Sequence, residues 1–122
     1  MSEHDEQVKL FQLIDYHAYQ YMEFLAVFAV PNGGHRHKAT AARLKAEGVK
    51  AGVWDVLCPV NNGEYNGLAI EMKYGKNGLT PEQEDWAERF EYIEWKTEVH
   101  YDGIEAFNAI CDYLGRPDLK VK

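Results

Sequence analysis

Over residues 3–19 the apolar positions Leu10, Leu13 and Ile14, with His17, fall on one stripe at helical spacing, and the stripe opens one turn earlier with Glu6. Residues 25–30 (LAVFAV) form a short apolar run closed by Pro31, which suits a strand or a buried helix. PNGGHRHK is then a loop by its breakers, and a helix is expected over 39–47 with Gly48 as its C-cap. Residues 53–60 read as a strand, Asn61-Asn62-Gly63 as a turn, and 68–74 as a second strand. Thr80-Pro81-Glu82-Gln83 is a helix start, with Thr80 as N-cap, proline at the first helical position and glutamine three residues after the cap. That helix extends to Tyr92, residues 96–101 give another strand, and 104–114 a last helix burying Ala106, Phe107, Ile110, Tyr113 and Leu114. Residues 115–122 are expected to be a loose tail. The order predicts an α/β protein, a mixed β-sheet flanked by α-helices.

One strand breaks the pattern. In GLAIEMKYGK (67–76), Leu68, Ile70, Met72 and Tyr74 alternate as one apolar face, while the other face carries Ala69, Glu71 and Lys73. If strands 53–60 and 67–74 form an antiparallel hairpin about Gly63, facing residues have numbers that sum to about 126, and Asp55 then opposes Glu71. Two carboxylates ~4 Å apart repel by roughly 4 kcal/mol at an effective dielectric near 20. Lys73 would offset part of this, and a divalent cation would offset more, since carboxylates and water suit Mg²⁺. The alternative is an edge hairpin with a wet polar face, on which Lys73 pairs with either acid. Glu6 and Gln83 also lie on inward stripes, yet each has an ordinary explanation: an acid near a helix N-terminus, and a capping box.

Composition narrows the choices modestly. The 122 residues suit a single domain, with no repeat, no low-complexity tract and no apolar run long enough to span a membrane. The acidic MSEHDEQ start does not resemble a signal or transit peptide. Cys58 and Cys111 lie in apolar segments without metal-like spacing, as expected of reduced core thiols in a cytosolic protein. The net charge of −7 argues against a nucleic-acid partner, but its distribution argues for one. Residues 35–50 hold five Lys or Arg (Arg36, Lys38, Arg43, Lys45, Lys50) against Glu47 alone, leaving eight basic residues against nineteen acidic ones elsewhere. Such a run is a solvated face or a phosphate-facing one.

Asp55 followed by Glu71-Met72-Lys73 resembles the D…ExK signature of the PD-(D/E)XK nuclease superfamily. With PNGGHRHKATAARLKAEGVKAGVWDVL, GLAIEMK and LTPEQEDW around it, the chain resembles the VRR-NUC (virus-type replication-repair nuclease) family from Glu6 to Leu114, in its stand-alone phage or prophage form. Two positions depart from the family pattern: Trp54 stands where proline usually precedes the aspartate, and Tyr92-Ile93-Glu94-Trp95 replaces a Gly-aromatic step before the last strand.

The resemblance implies a restriction-endonuclease-like core and a DNA endonuclease dependent on Mg²⁺ (or Mn²⁺). Asp55 and Glu71 would be the principal metal ligands, the Met72 backbone carbonyl another, and Glu6 a helix-borne third acid, direct or through water, with Glu3 as the alternative. Lys73 would handle the attacking water or the phosphate, and Gln83 would orient Lys73 or a phosphate. Asn32, Gly33, Gly34, His35, Arg36, His37 and Lys38 in the loop, with Arg43 and Lys45 on the helix, would hold the DNA backbone. The expected substrate is branched DNA, as for Holliday-junction resolvases, cut by a homodimer in the cytoplasm of a bacterial host with no membrane partner. The rivals are a nuclease of flap, nicking or exonucleolytic preference, a non-catalytic DNA-binding or phage assembly accessory, and an α/β domain with an incidental acidic hairpin.

Overall fold

A computed structural model describes residues 2–31 and 37–122. The chain forms α1 (Glu3–Ala18), a 3₁₀ turn (Met22–Ala26), β1 (Phe28–Ala29), α2 (Lys38–Ala46), β2 (Val56–Cys58), β3 (Gly67–Met72), α3 (Pro81–Tyr92), β4 (Trp95–His100), α4 (Gly103–Tyr113) and a second 3₁₀ turn (Pro117–Leu119). The ambiguous LAVFAV run is thus split between a 3₁₀ turn and a two-residue strand, since Pro31 leaves it no length for more. The strand expected over 53–60 keeps only its middle, Val56–Cys58.

The four strands lie in the order β1-β2-β3-β4, antiparallel between β1, β2 and β3, and parallel between β3 and β4 across the α3 crossover. The sheet is therefore mixed, and β3 is interior and buried at all six positions. Val56 pairs with Ile70, Leu57 with Ala69 and Cys58 with Leu68, so the register sums to 126 as expected, and no bulge intervenes. The next pair beyond the ladder is Asp55 and Glu71.

Side chains alternate across the sheet, and two apolar clusters cover its two faces. Leu68, Ile70 and Met72 join Val56, Cys58, Leu10, Ile14, Phe24, Phe107 and Ile110 under α1 and α4. On the other face Ala69 meets Trp54 and Phe90, with Trp86 and Trp95 against them, under α3. The small residues are needed there: the Trp95 ring lies so close over Gly67 that a Cβ would collide with it. The same face continues Gly67, Ala69, Glu71, Lys73, so small residues admit the aromatics and charged ones begin where the α3 N-terminus takes over.

The two ends of the chain differ in how firmly they are held. Residues 115–122, expected to be loose, instead dock: Val121 exchanges two hydrogen bonds with the Asn108 side chain (2.8 and 2.9 Å), and Leu119 and Val121 pack against the core. Their backbone groups find partners on α4, which is what a free tail lacks. By contrast α2 buries none of its residues. Cys58 and Cys111 are buried free thiols, each pushed up to about 11 mainly by burial. No helix among the described residues is long and apolar enough to cross a membrane.

Candidate active site

Asp55 stands at the mouth of β2 and Glu71 near the end of β3, and each carboxylate grips the opposite strand. Glu71 Oε1 accepts from the Asp55 backbone N–H (3.2 Å), and Asp55 Oδ2 accepts from the Met72 N–H (3.0 Å). These bonds continue the hairpin ladder by one rung with side chains in place of carbonyls. They also bring the two carboxyls close enough for each to act on the other's ionisation. Glu71 is only 2% exposed and Lys73 only 8%, so the pair is not on a wet face, and the strand carrying it is not an edge.

The electrostatics follow from that burial. Desolvation first, and then the Asp55 charge, push Glu71 up to about 7. Desolvation also raises Asp55, against the opposing pull of the Met72 N–H and Lys73. The two groups titrate as one unit that holds a proton above the ordinary carboxylate range.

Lys73 approaches Glu71 Oε2 at 3.5 Å and donates to Gln83 Oε1 at 2.6 Å. Gln83 in turn donates from Nε2 to Glu71 Oε2 at 2.8 Å, while its Oε1 also accepts from the Thr80 N–H at 2.9 Å. The capping box and the site role proposed for Gln83 are therefore one arrangement. A glutamate would complete the box equally well but would set a third carboxylate against Glu71. Glutamine supplies the donor that Glu71 needs and the acceptor that Lys73 needs.

Trp54 explains how α3 is held in place. Its buried indole N–H donates to the Gln83 carbonyl at 2.9 Å, and its ring meets Phe90 edge-on. The residue that departs from the family's proline thus ties the Gln83-bearing helix to the residue beside Asp55. Sequence reading noted the substitution but missed this role, because an indole N–H reaching a carbonyl 29 positions away leaves no local pattern.

The first helix brings two acids, and they part company. Glu6 is buried, and its Oε1 accepts from the Gly103 N–H at 2.9 Å, with Lys9 at 3.5 Å. It serves the N-terminus of α4, whose approach to α1 is so close that a Cβ on Gly103 would strike the Glu6 carbonyl. Glu3, one turn earlier, feels the site directly: burial and then the Asp55 charge raise its carboxyl, and Lys73 pulls the other way. Both acids line a cleft beside Lys73.

The donor set fits a hard divalent cation. A buried carboxylate, Glu71, and a half-buried one, Asp55, repel each other with the one ammonium of Lys73 to offset them, and the Met72 carbonyl leaves β3 on the edge facing Asp55, since a strand residue's N–H and C=O point to the same side. Among the described residues, no three His, Cys, Asp or Glu side chains converge as a ready-made cage. A cation held by Asp55, Glu71 and the Met72 carbonyl would complete its shell with water and substrate phosphate, as Mg²⁺ does.

Of the residues expected to hold DNA, Asn32, Gly33, Gly34, His35 and Arg36 lie outside the described residues. His37 caps α2 by position and makes no side-chain cap bond, and Lys38 is the first residue of the helix. Arg43 and Lys45 are exposed in its last turn, with Arg43 3.8 Å from Glu47.

No family model matches the chain, and no curated protein matches it significantly. Among solved structures, a VRR_NUC domain protein superposes with a TM-score of 0.75 at 24% identity, over 95% of this chain and 90% of that one. Likeness at that identity speaks for architecture: this chain has the α/β, restriction-endonuclease-like fold of a VRR_NUC domain protein.

Proposed function

We propose that the protein is a member of the VRR-NUC nucleases that hydrolyses DNA phosphodiester bonds in the presence of Mg²⁺ or Mn²⁺. The observation that carries this is the Asp55–Glu71 pair, Glu71 buried and Asp55 half-buried, with Lys73 and Gln83 hydrogen-bonded beside it, on the fold of a VRR_NUC domain protein. Asp55, Glu71 and the Met72 carbonyl would hold the cation, with Glu3 the α1 acid that feels their charge while Glu6 is engaged by the α4 N-terminus. A bound cation supplies a water of lowered pKa and counter-charge for the phosphate oxygens. Lys73, fixed by Gln83, offers a positioned donor for the charge that develops on the phosphate, in a site where burial strengthens it. Two chains would serve a symmetric branched substrate such as a four-way junction.

The decisive assay offers linear, flapped and four-way DNA with Mg²⁺ or Mn²⁺. Cleavage that stops with EDTA is expected. Asp55→Asn and Lys73→Ala should each abolish it while largely sparing binding; wild-type rates in either variant would sink the mechanism. Binding without cleavage by the wild-type protein would mark a DNA-binding accessory.

A further inference from the structure

Beside the carboxyl pair opens a cleft of about 260 Å³, lined by Glu3, Glu6, Lys73, Tyr74 and Tyr101. Both tyrosines are large aromatics left about half exposed, at 48% and 45%, and among the described residues neither stacks on another ring. Neither is loose. Tyr101 Oη donates to the Asn77 carbonyl at 2.9 Å, and the Asn77 N–H donates to the Tyr74 carbonyl at 3.1 Å, with Gly75 at φ 62° closing the turn. One four-residue turn, directly after Lys73, therefore fixes the Tyr74 backbone at its start and clamps the Tyr101 ring to its end.

We propose that Tyr74 and Tyr101 are a stacking site for an unpaired nucleobase next to the scissile phosphate, so that the substrate is DNA unpaired at the cut: a flap, a frayed fork or an opened crossover. This rests on the nuclease reading above and adds the substrate class. Every base has a π-face, so ring stacking tolerates any sequence. In a duplex both faces of a base are covered by its neighbours, and only an unpaired base can turn onto a protein ring. The site is small enough to take one base and not a duplex, and it abuts Lys73, which fixes its distance from the chemistry.

Two measurements test this. A flapped duplex with 2-aminopurine at the first unpaired position is titrated with Lys73→Ala protein, which is expected to bind without cutting; stacking quenches its fluorescence, and Tyr74→Ala with Tyr101→Ala in that background abolishes the quench. In the wild-type background the same pair of alanines lowers kcat/KM on flapped DNA roughly ten- to hundred-fold, while Tyr74→Phe, which keeps the ring, leaves it within about two-fold. Equal cleavage of flapped and fully paired DNA by the wild-type protein, an unquenched probe, or equal rates for the alanine and phenylalanine variants would each overturn the proposal. Absence of cleavage on every DNA with the quench intact would instead overturn the nuclease reading and leave the stacking site standing.

Discussion

Glu71 is the residue whose ionisation sets the behaviour of the site. Its folded pKa, about 7, lies above the ordinary 4.5, so between those values the folded protein binds a proton that the unfolded chain has released. The stability this confers is fully present below pH ~4.5 and is lost as pH rises through about 7. The melting temperature of the metal-free protein is thus expected to fall across that window, and Mg²⁺ to restore it progressively as pH rises, since a cation competes with the proton. A melting curve flat in pH, or Mg²⁺ acting equally at pH 5 and pH 8, would contradict the site. The two N-terminal acids should separate by the same kind of measurement. Glu6→Gln weakens an anion at the α4 N-terminus and should cost about 1 kcal/mol of stability with activity retained. Glu3→Gln should lower cleavage and leave thermal unfolding unchanged, because Glu3 faces Asp55 and Lys73 and makes no comparable anchor.

At the scale of elements, β3 and the α3 N-terminus form one device. The strand delivers Glu71 and Lys73, the helix delivers Gln83, and Trp54 fixes the helix against the hairpin. The far end of α3 carries the other departure from the family pattern. Glu94 has φ 62°, the left-handed conformation in which a helix commonly ends on glycine, and β4 begins at the aromatic Trp95 immediately after it. Tyr92-Ile93-Glu94-Trp95 thus keeps the shape of a Gly-aromatic step with a residue that is strained in it. Glu94→Gly should raise stability by about 1 kcal/mol in denaturant unfolding, and no gain would mean that the strain is relieved elsewhere. At the outer edge of the sheet, Lys96, Glu98 and His100 form a polar row on β4, and the hydrogen bond to His100 is the chief cause that lowers the Glu98 pKa. Such a row blunts an edge strand against unwanted pairing.

Over the whole molecule, charge and packing divide in the same place. The basic residues 35–50 sit in a chain of net charge −7, and within them α2 is a nine-residue helix with no buried side chain. A helix that short is marginal by itself in water, so it gains its order from what it meets. Its Lys38, Arg43 and Lys45, with no acid inside the helix, fit a phosphate backbone and would be repelled by nothing on it. Neutralising Arg43 and Lys45 together should weaken DNA binding at every sequence and reduce the slope of log affinity against log salt by about two. A loss confined to particular sequences, or an unchanged slope, would place the contact on bases or away from DNA.

The alternation of residues 67–74 and the register about Gly63 were enough to set Asp55 against Glu71, because strand period and hairpin counting are local rules that the backbone obeys. Thr80-Pro81 likewise marked the start of α3 to the residue. Whether the acidic pair would be wet or buried was not local: that depends on β1 covering β2, on β4 covering β3, and on α3 closing over the face. The same holds for the surroundings of Glu6 and Glu3, three positions apart on one helix, where the Gly103 N–H engages the first and the charges of Asp55 and Lys73 act on the second. Periodicity gave both acids to α1, but only the packing of α4 against it assigns them different partners. The sequence by itself determined which groups the strands and helices carry. The tertiary structure decided which of them lose their water, and with it their ordinary pKa.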